Sequence, residues 1–274
     1  NLPRDFLSAF MQCRRPLFLL EVGSMTGGSA NRICDALALL GPWDASGMPC
    51  LVCVDTFLGD TRMWLNHQPG WRDMLRLKRG FPGVYWQFLA NVERHSSCVL
   101  PFPTTSSCGI RALQHLVARG SPRPEFIYLD SAHEAGETLL EIRQAFKLLA
   151  PGGAMVGDDL NWPAVEGDLR SFLRERPRLC SKEEASWLPG LPGVAFLEEG
   201  GHWVVDGAVR QWLLVKSTDD DLAELKATIA REECGAEPAE YAPLTDGDRQ
   251  ALEDYNAGCG MLEAGPKKEG TTRT

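Results

Sequence analysis

Basic residues are in deficit. Lys plus Arg number 28 against 37 Asp plus Glu, for a net charge of −9 and an isoelectric point near 5.1. Phosphate-binding surfaces need a basic face, so this balance argues against RNA or DNA as a partner. Long apolar runs are also missing. None approaches the roughly 20 residues that cross a bilayer, so no membrane partner is expected. No stretch reads as a secretory leader, and no internal repeat divides the chain. The nine cysteines form no framework, and Cys50-x-x-Cys53 is their one close pair. That pair lies in an apolar, strand-like run, where both thiols read as packing. Unpaired thiols suit a reducing compartment, so a cytoplasmic location is expected. Two phosphate motifs are absent as well. Without G-x-x-x-x-G-K-[ST] or G-x-G-x-x-G, neither a P-loop nor a standard pyrophosphate cradle is available.

What is present is a core. Hydrophobic residues make up 44% of the 274, enough for one large domain with appendages. The chain is organised around Pro16 to Ala30. Leu17 to Val22 is apolar except for Glu21 and reads as a buried parallel strand. Glycines 23, 27 and 28 make a tight loop. Ala30, Ile33, Cys34, Leu37 and Leu40 then recur at helical spacing, with Ser29 placed to cap or begin that helix. Strand, glycine loop and helix are the first half of a nucleotide-type α/β fold.

The pattern continues. Phe6, Phe10 and Met11 predict a short leading helix. Cys50 to Val54 is a second strand ending at Asp55, where a carboxylate can accept from both hydroxyls of a ribose. Residues 56–97 are a long, aromatic-rich insertion. Trp71 to Arg79 and Val84 to Arg94 read as two short helices, with Arg72, Arg76 and Arg79 on one face. Cys98 to Phe102 is the third strand, followed by a helix capped within Thr104–Ser107. Phe126 to Leu129 is the fourth strand, ending at Asp130, and Ala154 to Gly157 is the fifth, ending at Asp158-Asp159. Two further strands are expected as an antiparallel edge hairpin: Gly193–Leu197 or His202–Val205, and Gln211–Val215. A charged helix follows Ser217, and disorder is expected after Gly235.

In an open α/β sheet the ligand crevice lies at the carboxyl ends of the central strands. Asp130, Asp158 and Asp159 all fall there. Neighbouring carboxylates repel unless a cation separates them, so the trio suggests Mg²⁺ or another divalent cation. His133 follows Asp130 by three residues, and an imidazole is suited to proton abstraction near neutral pH.

The loop Glu21-x-Gly23-x-x-x-Gly27-x-Ser29 resembles the first motif of class I S-adenosylmethionine-dependent methyltransferases. The segments Leu129-Asp-Ser-Ala-His133 and Ala150-Pro-Gly-Gly-Ala-Met-Val-Gly-Asp-Asp-Leu-Asn-Trp162 resemble the metal-dependent O-methyltransferases of the catechol, caffeoyl-CoA and antibiotic-sugar types. They also resemble cephalosporin-hydroxylase-type relatives. The resemblance spans about residues 16–216. It implies a Rossmann-like, doubly wound α/β fold with a seven-stranded, mostly parallel sheet and an antiparallel edge strand. It implies S-adenosylmethionine contacts from Glu21, Gly23, Ser24, Gly27, Ser29, Asp55 and Asp130, with Thr105 and Ser106 beside the adenine. It implies a metal at Asp130, Asp158 and Asp159. Position 133 carries a catalytic lysine in the catechol-type enzymes, so His133 and Asp130 are the catalytic candidates.

The domain division expected is 1–216 for the methyltransferase domain, with the helical insertion 56–97 inside it, and 217–274 for the charged helix and tail. The function expected is Mg-assisted O-methylation of a small-molecule acceptor, with homodimerisation left open. Metal-independent transfer and a non-catalytic cofactor-binding scaffold are the alternatives.

Overall fold

The computed structural model describes residues 4–41, 43, 47–131, 133–185, 194–198, 210–219 and 221–233. The strand alternative at His202–Val205 and the tail after Gly235 lie outside these residues. The helices are α1 (Arg4–Arg14), α2 (Gly28–Ala38), α3 (Thr61–Trp64), α4 (Val84–Val92), α5 (Ser106–Ala118), α6 (Glu137–Leu148), α7 (Pro163–Arg174) and α8 (Leu222–Glu233). The strands are β1 (Phe18–Val22), β2 (Cys50–Asp55), β3 (Val99–Pro103), β4 (Phe126–Leu129), β5 (Ala154–Gly157), β6 (Val194–Phe196) and β7 (Gln211–Val215).

The strands form one seven-stranded sheet in the order β3-β2-β1-β4-β5-β7-β6, parallel except where β7 runs against β5. Side chains alternate across each strand, and the sequence loads both faces with apolar groups. Leu19, Phe126 and Tyr128 face α1, α2 and α4, while Leu20, Val22, Ile127 and Leu129 face α5 to α8. A sheet covered on both faces reads as continuous apolar runs, which is why these strands are legible without a polar alternation. Strand order reverses between β1 and β4, so their carboxyl ends splay into a crevice.

Two expectations are corrected. The outer strands are not an antiparallel hairpin. β6 pairs parallel with β7, Val194 opposite Gln211, and β7 is an interior strand buried along its whole length. Trp212 fills that position; a Cβ on Gly157 of β5 would lie 2.2 Å from its ring. The segment Trp71–Arg79 is not a helix either. Only Arg72–Leu75 forms a 3₁₀ turn, because Arg76 and Arg79 adopt left-handed backbone conformations, φ 50° and 53°. Lys78 and Phe81 bridge across the turn that follows, so the three arginines share no helical face. The second expected helix forms as α4, with Glu93–His95 continuing it as a 3₁₀ turn.

The chain divides into two compact units, Asn1–Ile229 and Ala230–Thr274. The first includes the start of α8, whose Leu225 and Ile229 are buried in the core. Of the second, only the last turn of α8 falls within the described residues. No helix among the described residues is long and apolar enough to cross a membrane.

Candidate active site

The crevice at the carboxyl ends of β1, β2 and β4 has a volume of about 800 Å³, within the range of small-molecule and cofactor sites. Of the expected cofactor contacts, Gly23, Ser24, Ser29, Asp55, Thr105, Ser106 and Asp130 line it, together with Gly28 at the start of α2. Glu21 and Gly27 are not on its wall.

The glycines serve the protein's own packing first. Gly23 has φ +89°, and a Cβ there would sit 2.2 Å from the Asp130 carbonyl oxygen. Its missing side chain lets the ends of β1 and β4 meet. Gly27, at φ +83°, makes room for Val92 of α4, 2.7 Å from where a Cβ would be. Asp55 brackets the loop: its carboxylate accepts from the backbone N–H of Met25 at 2.7 Å and of Phe57 at 2.6 Å. Thr105 caps α5 by accepting from the Cys108 N–H. Beneath the loop, Glu21 is wholly buried. One carboxylate oxygen lies 3.3 Å from the Cys53 sulfur, while Oε1 has no hydrogen-bond partner among the described residues; Ser24 Oγ is likewise buried and unpartnered. Burial pushes the Glu21 carboxyl above the usual range. Orphaned buried polar atoms cost free energy, and of these two residues Ser24 lines the crevice.

The metal candidates regroup. Ligand atoms of Asp130, His133 and Asp159 all lie within 4.8 Å of one another. Asp158 is outside that triad, and its Oδ1 accepts from the Asp159 N–H. Asp159 reaches the triad from a left-handed backbone, φ 57°. His133 Nε2 pairs with Asp159 Oδ2 at 2.6 Å, and Arg210 contacts the other oxygen at 3.2 Å. Tyr128 donates to Asp130 at 3.1 Å.

Burial, then the charges of Asp158 and Asp159, push the Asp130 carboxyl up to about 7. For His133, burial disfavours the imidazolium, but Asp159 and Asp130 outweigh it and the pKa is raised. Without a cation, then, the ring keeps its proton to higher pH than free imidazole does, contrary to the easily deprotonated base expected from sequence. Asp159 shows the converse: burial is overcome by His133 and Arg210, and its carboxyl titrates low.

Several residues escaped the sequence reading. Trp162 stacks beside His133, with ring centroids 5.1 Å apart, and carries Arg62 over its face at 4.3 Å. Arg62 in turn pairs with Glu134 at 2.5 Å. Glu141, buried on the inner face of α6, accepts from Ser131 at 2.7 Å and lines the crevice. Its signal was present: Thr138, Glu141, Ile142 and Ala145 fall on the buried stripe of α6.

A sequence profile described as a methyltransferase domain matches residues 20–160, more than half of the chain. The chain belongs to this methyltransferase family. The class I methyltransferase expected from the loop and strand ends is thereby borne out. No curated protein matches the methyltransferase.

Several solved structures do align. Cofactor-bound Rv0187 from MTB does so at 14% identity, over 62% of this chain and 65% of that one, with a TM-score of 0.41. The chain therefore spans just under two thirds of that protein. An O-methyltransferase from Bacillus cereus in complex with SAH aligns at 18%, over 66% and 73%, with a TM-score of 0.42. The calicheamicin methyltransferase CalS11 aligns at 18%, over 69% and 74%, with a TM-score of 0.47.

Proposed function

We propose that this methyltransferase moves the methyl group of S-adenosylmethionine to an oxygen of a small-molecule acceptor, assisted by a divalent cation such as Mg²⁺. The observation that carries the reading is the convergence of Asp130, His133 and Asp159 on a crevice that Gly23, Ser24, Ser29 and Asp55 also line. These residues fit both groups. The start of α2 at Gly28 and Ser29 suits a carboxylate through its free N–H groups. Ser24 offers an acceptor to an ammonium, and Asp55 keeps lone pairs for a ribose. A carboxyl driven to about 7 by its neighbours is one that a cation would relieve.

When bound, the cofactor supplies an electrophilic methyl, and the cation supplies a charge that lowers the pKa of the acceptor hydroxyl. Asp130 and Asp159 would hold the cation, and Asp158, accepting from the Asp159 N–H, steadies the turn that presents Asp159. His133, oriented through Nε2 by Asp159, has Nδ1 available for the acceptor's proton. With Asp130 and Asp159 engaged by a cation, the ring would lose the two influences that keep it protonated. Trp162, against the His133 ring and under Arg62, backs the histidine, so the reaction depends chiefly on positioning. The His133–Asp159 pair at 2.6 Å also favours a second reading, a cation-free route with the pair as general base. The seven free cysteines of the described residues accord with a cytoplasmic setting.

Calorimetric titration with S-adenosylmethionine and its demethylated product tests cofactor binding. Release of S-adenosylhomocysteine across a panel of hydroxylated acceptors tests transfer. Failure to bind either cofactor form would end the proposal.

A further inference from the structure

The end of α2 remote from the crevice carries a second cluster of ligating side chains. Cys34 lies in α2, and His95 and Cys98 lie in the turn before β3. The two sulfurs and a ring nitrogen of His95 all fall within 4.8 Å of one another. We propose that Cys34, His95 and Cys98 form a binding site for a thiophilic divalent ion, zinc foremost, that staples α2 to the start of β3.

The local geometry is that of a ligand turn. Cys98 N–H donates to the His95 carbonyl at 2.9 Å, which closes a four-residue turn and brings residues 95 and 98 to one side. His95-x-x-Cys98 has the two-residue gap that metal-binding turns use for a cysteine pair. The third ligand arrives from α2, already packed against this turn. The Cys34 and Cys98 sulfurs are 3.3 Å apart. Zinc bound to both at about 2.3 Å in tetrahedral geometry would set them about 3.8 Å apart, so loading asks for only a small opening.

A second observation points the same way. His95 Nε2 is paired with Asp35 Oδ1 at 2.9 Å, and the other oxygen of that carboxylate is held by Arg94 at 2.9 Å. A carboxylate behind a histidine is the usual support of a zinc-bound imidazole, fixing its tautomer and its orientation. Three protein ligands leave the fourth corner to water.

Thiolate, not thiol, is the ligand, so loading releases the two cysteine protons to solvent. Cys34 is buried and Cys98 half-buried, which leaves an entry path from the Cys98 side. Asp130, His133 and Asp159 offer no sulfur, so a soft ion distinguishes the two clusters.

The test is cobalt substitution of the full chain, purified under reductant and stripped of metal. Co²⁺ bound by thiolates shows sulfur-to-metal charge-transfer absorption in the near ultraviolet, whereas cobalt at the carboxylate cluster shows none. The expected result is that band at one cobalt per chain, bleached by stoichiometric zinc. It should be lost in Cys98→Ser, and weakened with altered visible bands in His95→Ala. Far-ultraviolet circular dichroism selects folded variants, and Cys34→Ser serves if Cys98→Ser does not fold. Absence of the band in the wild type, or its persistence in Cys98→Ser, overturns the proposal. So does an intact mass two hydrogens light together with loss of free thiols, which would make the pair a disulfide in place of a metal site.

Discussion

Two buried clusters of charge in this protein differ in how fully they are answered. At the crevice, His133 and Arg210 both pair with Asp159, and Asp130, beside Asp158 and Asp159, retains its proton to about 7. Between α6 and α8, Arg123 and Lys216 share one carboxylate, Asp221, at 2.6 Å each. There the remaining donors are spent on carbonyls. Arg123 donates to Lys147 and Leu148, Lys216 to Phe146 at 2.8 Å, and both donate to Leu149. The second cluster is complete as it stands: it ties the end of α6 to the start of α8. The first is incomplete without something positive. Surplus charge that packing does not require marks function, and charge matched by carbonyls marks architecture.

That contrast breaks if the crevice cluster proves merely structural. The largest effect expected is from removing its cation. EDTA should bring methyl transfer to background, and Mg²⁺ or Mn²⁺ should restore it, measured as S-adenosylhomocysteine release. An Asp130→Asn variant should stay inactive with metal added, yet melt no lower than the wild type, since it sheds the one carboxylate that burial and its acidic neighbours disfavour. Full turnover in EDTA would assign the reaction to the cation-free His133–Asp159 route.

Next in size is His133→Ala. A positioned base contributes about 10²–10⁴-fold, and kcat should fall by that factor while the calorimetric Kd for the cofactor stays unchanged. A normal kcat would make His133 a partner of Asp159 and nothing more.

The complementary experiment falls on the architectural cluster. Asp221→Asn leaves Lys216 and Arg123, 3% and 9% exposed, without their counter-charge. Breaking one side of a buried ion pair costs about 3–5 kcal/mol, and the carbonyl contacts place this case at the low end. Urea unfolding should show the loss, while kcat per folded molecule stays at the wild-type value. A drop in kcat without a drop in stability would reverse the roles assigned to the two clusters.

Both clusters also show what a sequence discloses. Strand-end acids are legible because they follow apolar runs at fixed offsets, so Asp55, Asp130 and Asp159 could be placed in the crevice from period alone. What stayed hidden depends on contacts between distant positions. Arg123 meets Asp221 from 98 residues away, and Cys34 meets Cys98 from 64, with nothing local to announce either. Asp158 and Asp159 were indistinguishable as letters; the left-handed backbone at Asp159 separates them. Arg76 and Arg79 were assigned a helical face from their spacing, but the Gly80-Phe-Pro-Gly83 turn overrode it. β7 was given an edge position from chain order alone. Its unalternating Gln-Trp-Leu-Leu-Val run already pointed to an interior strand.

The smallest effect expected is a pH dependence of stability at Lys216. Burial, opposed by Asp221, lowers its pKa from the usual 10.5 to about 8. The folded chain therefore gives up this proton before the unfolded chain does. Between about pH 8 and 10.5 the unfolded state binds more protons, so the contribution of this site to stability rises with pH across that window. Below the window the penalty for a buried ammonium is constant; above it the penalty is gone. Each pKa step is worth about 1.4 kcal/mol, which bounds the gain at about 3 kcal/mol. The loss of the pairing with Asp221 is already contained in that net shift, so a gain of up to about 3 kcal/mol is expected. Buried thiols such as Cys53, whose pKa is raised, act in the opposite direction at alkaline pH, so the wild-type curve alone does not isolate the lysine. The difference between wild type and Lys216→Met does. It should shift toward the wild type by that amount as urea unfolding is repeated from pH 7.5 to 10.5. A difference flat in pH would mean that the ammonium is fully compensated by Asp221 and the α6 carbonyls, and that this cluster is closer to charge neutrality than its burial implies.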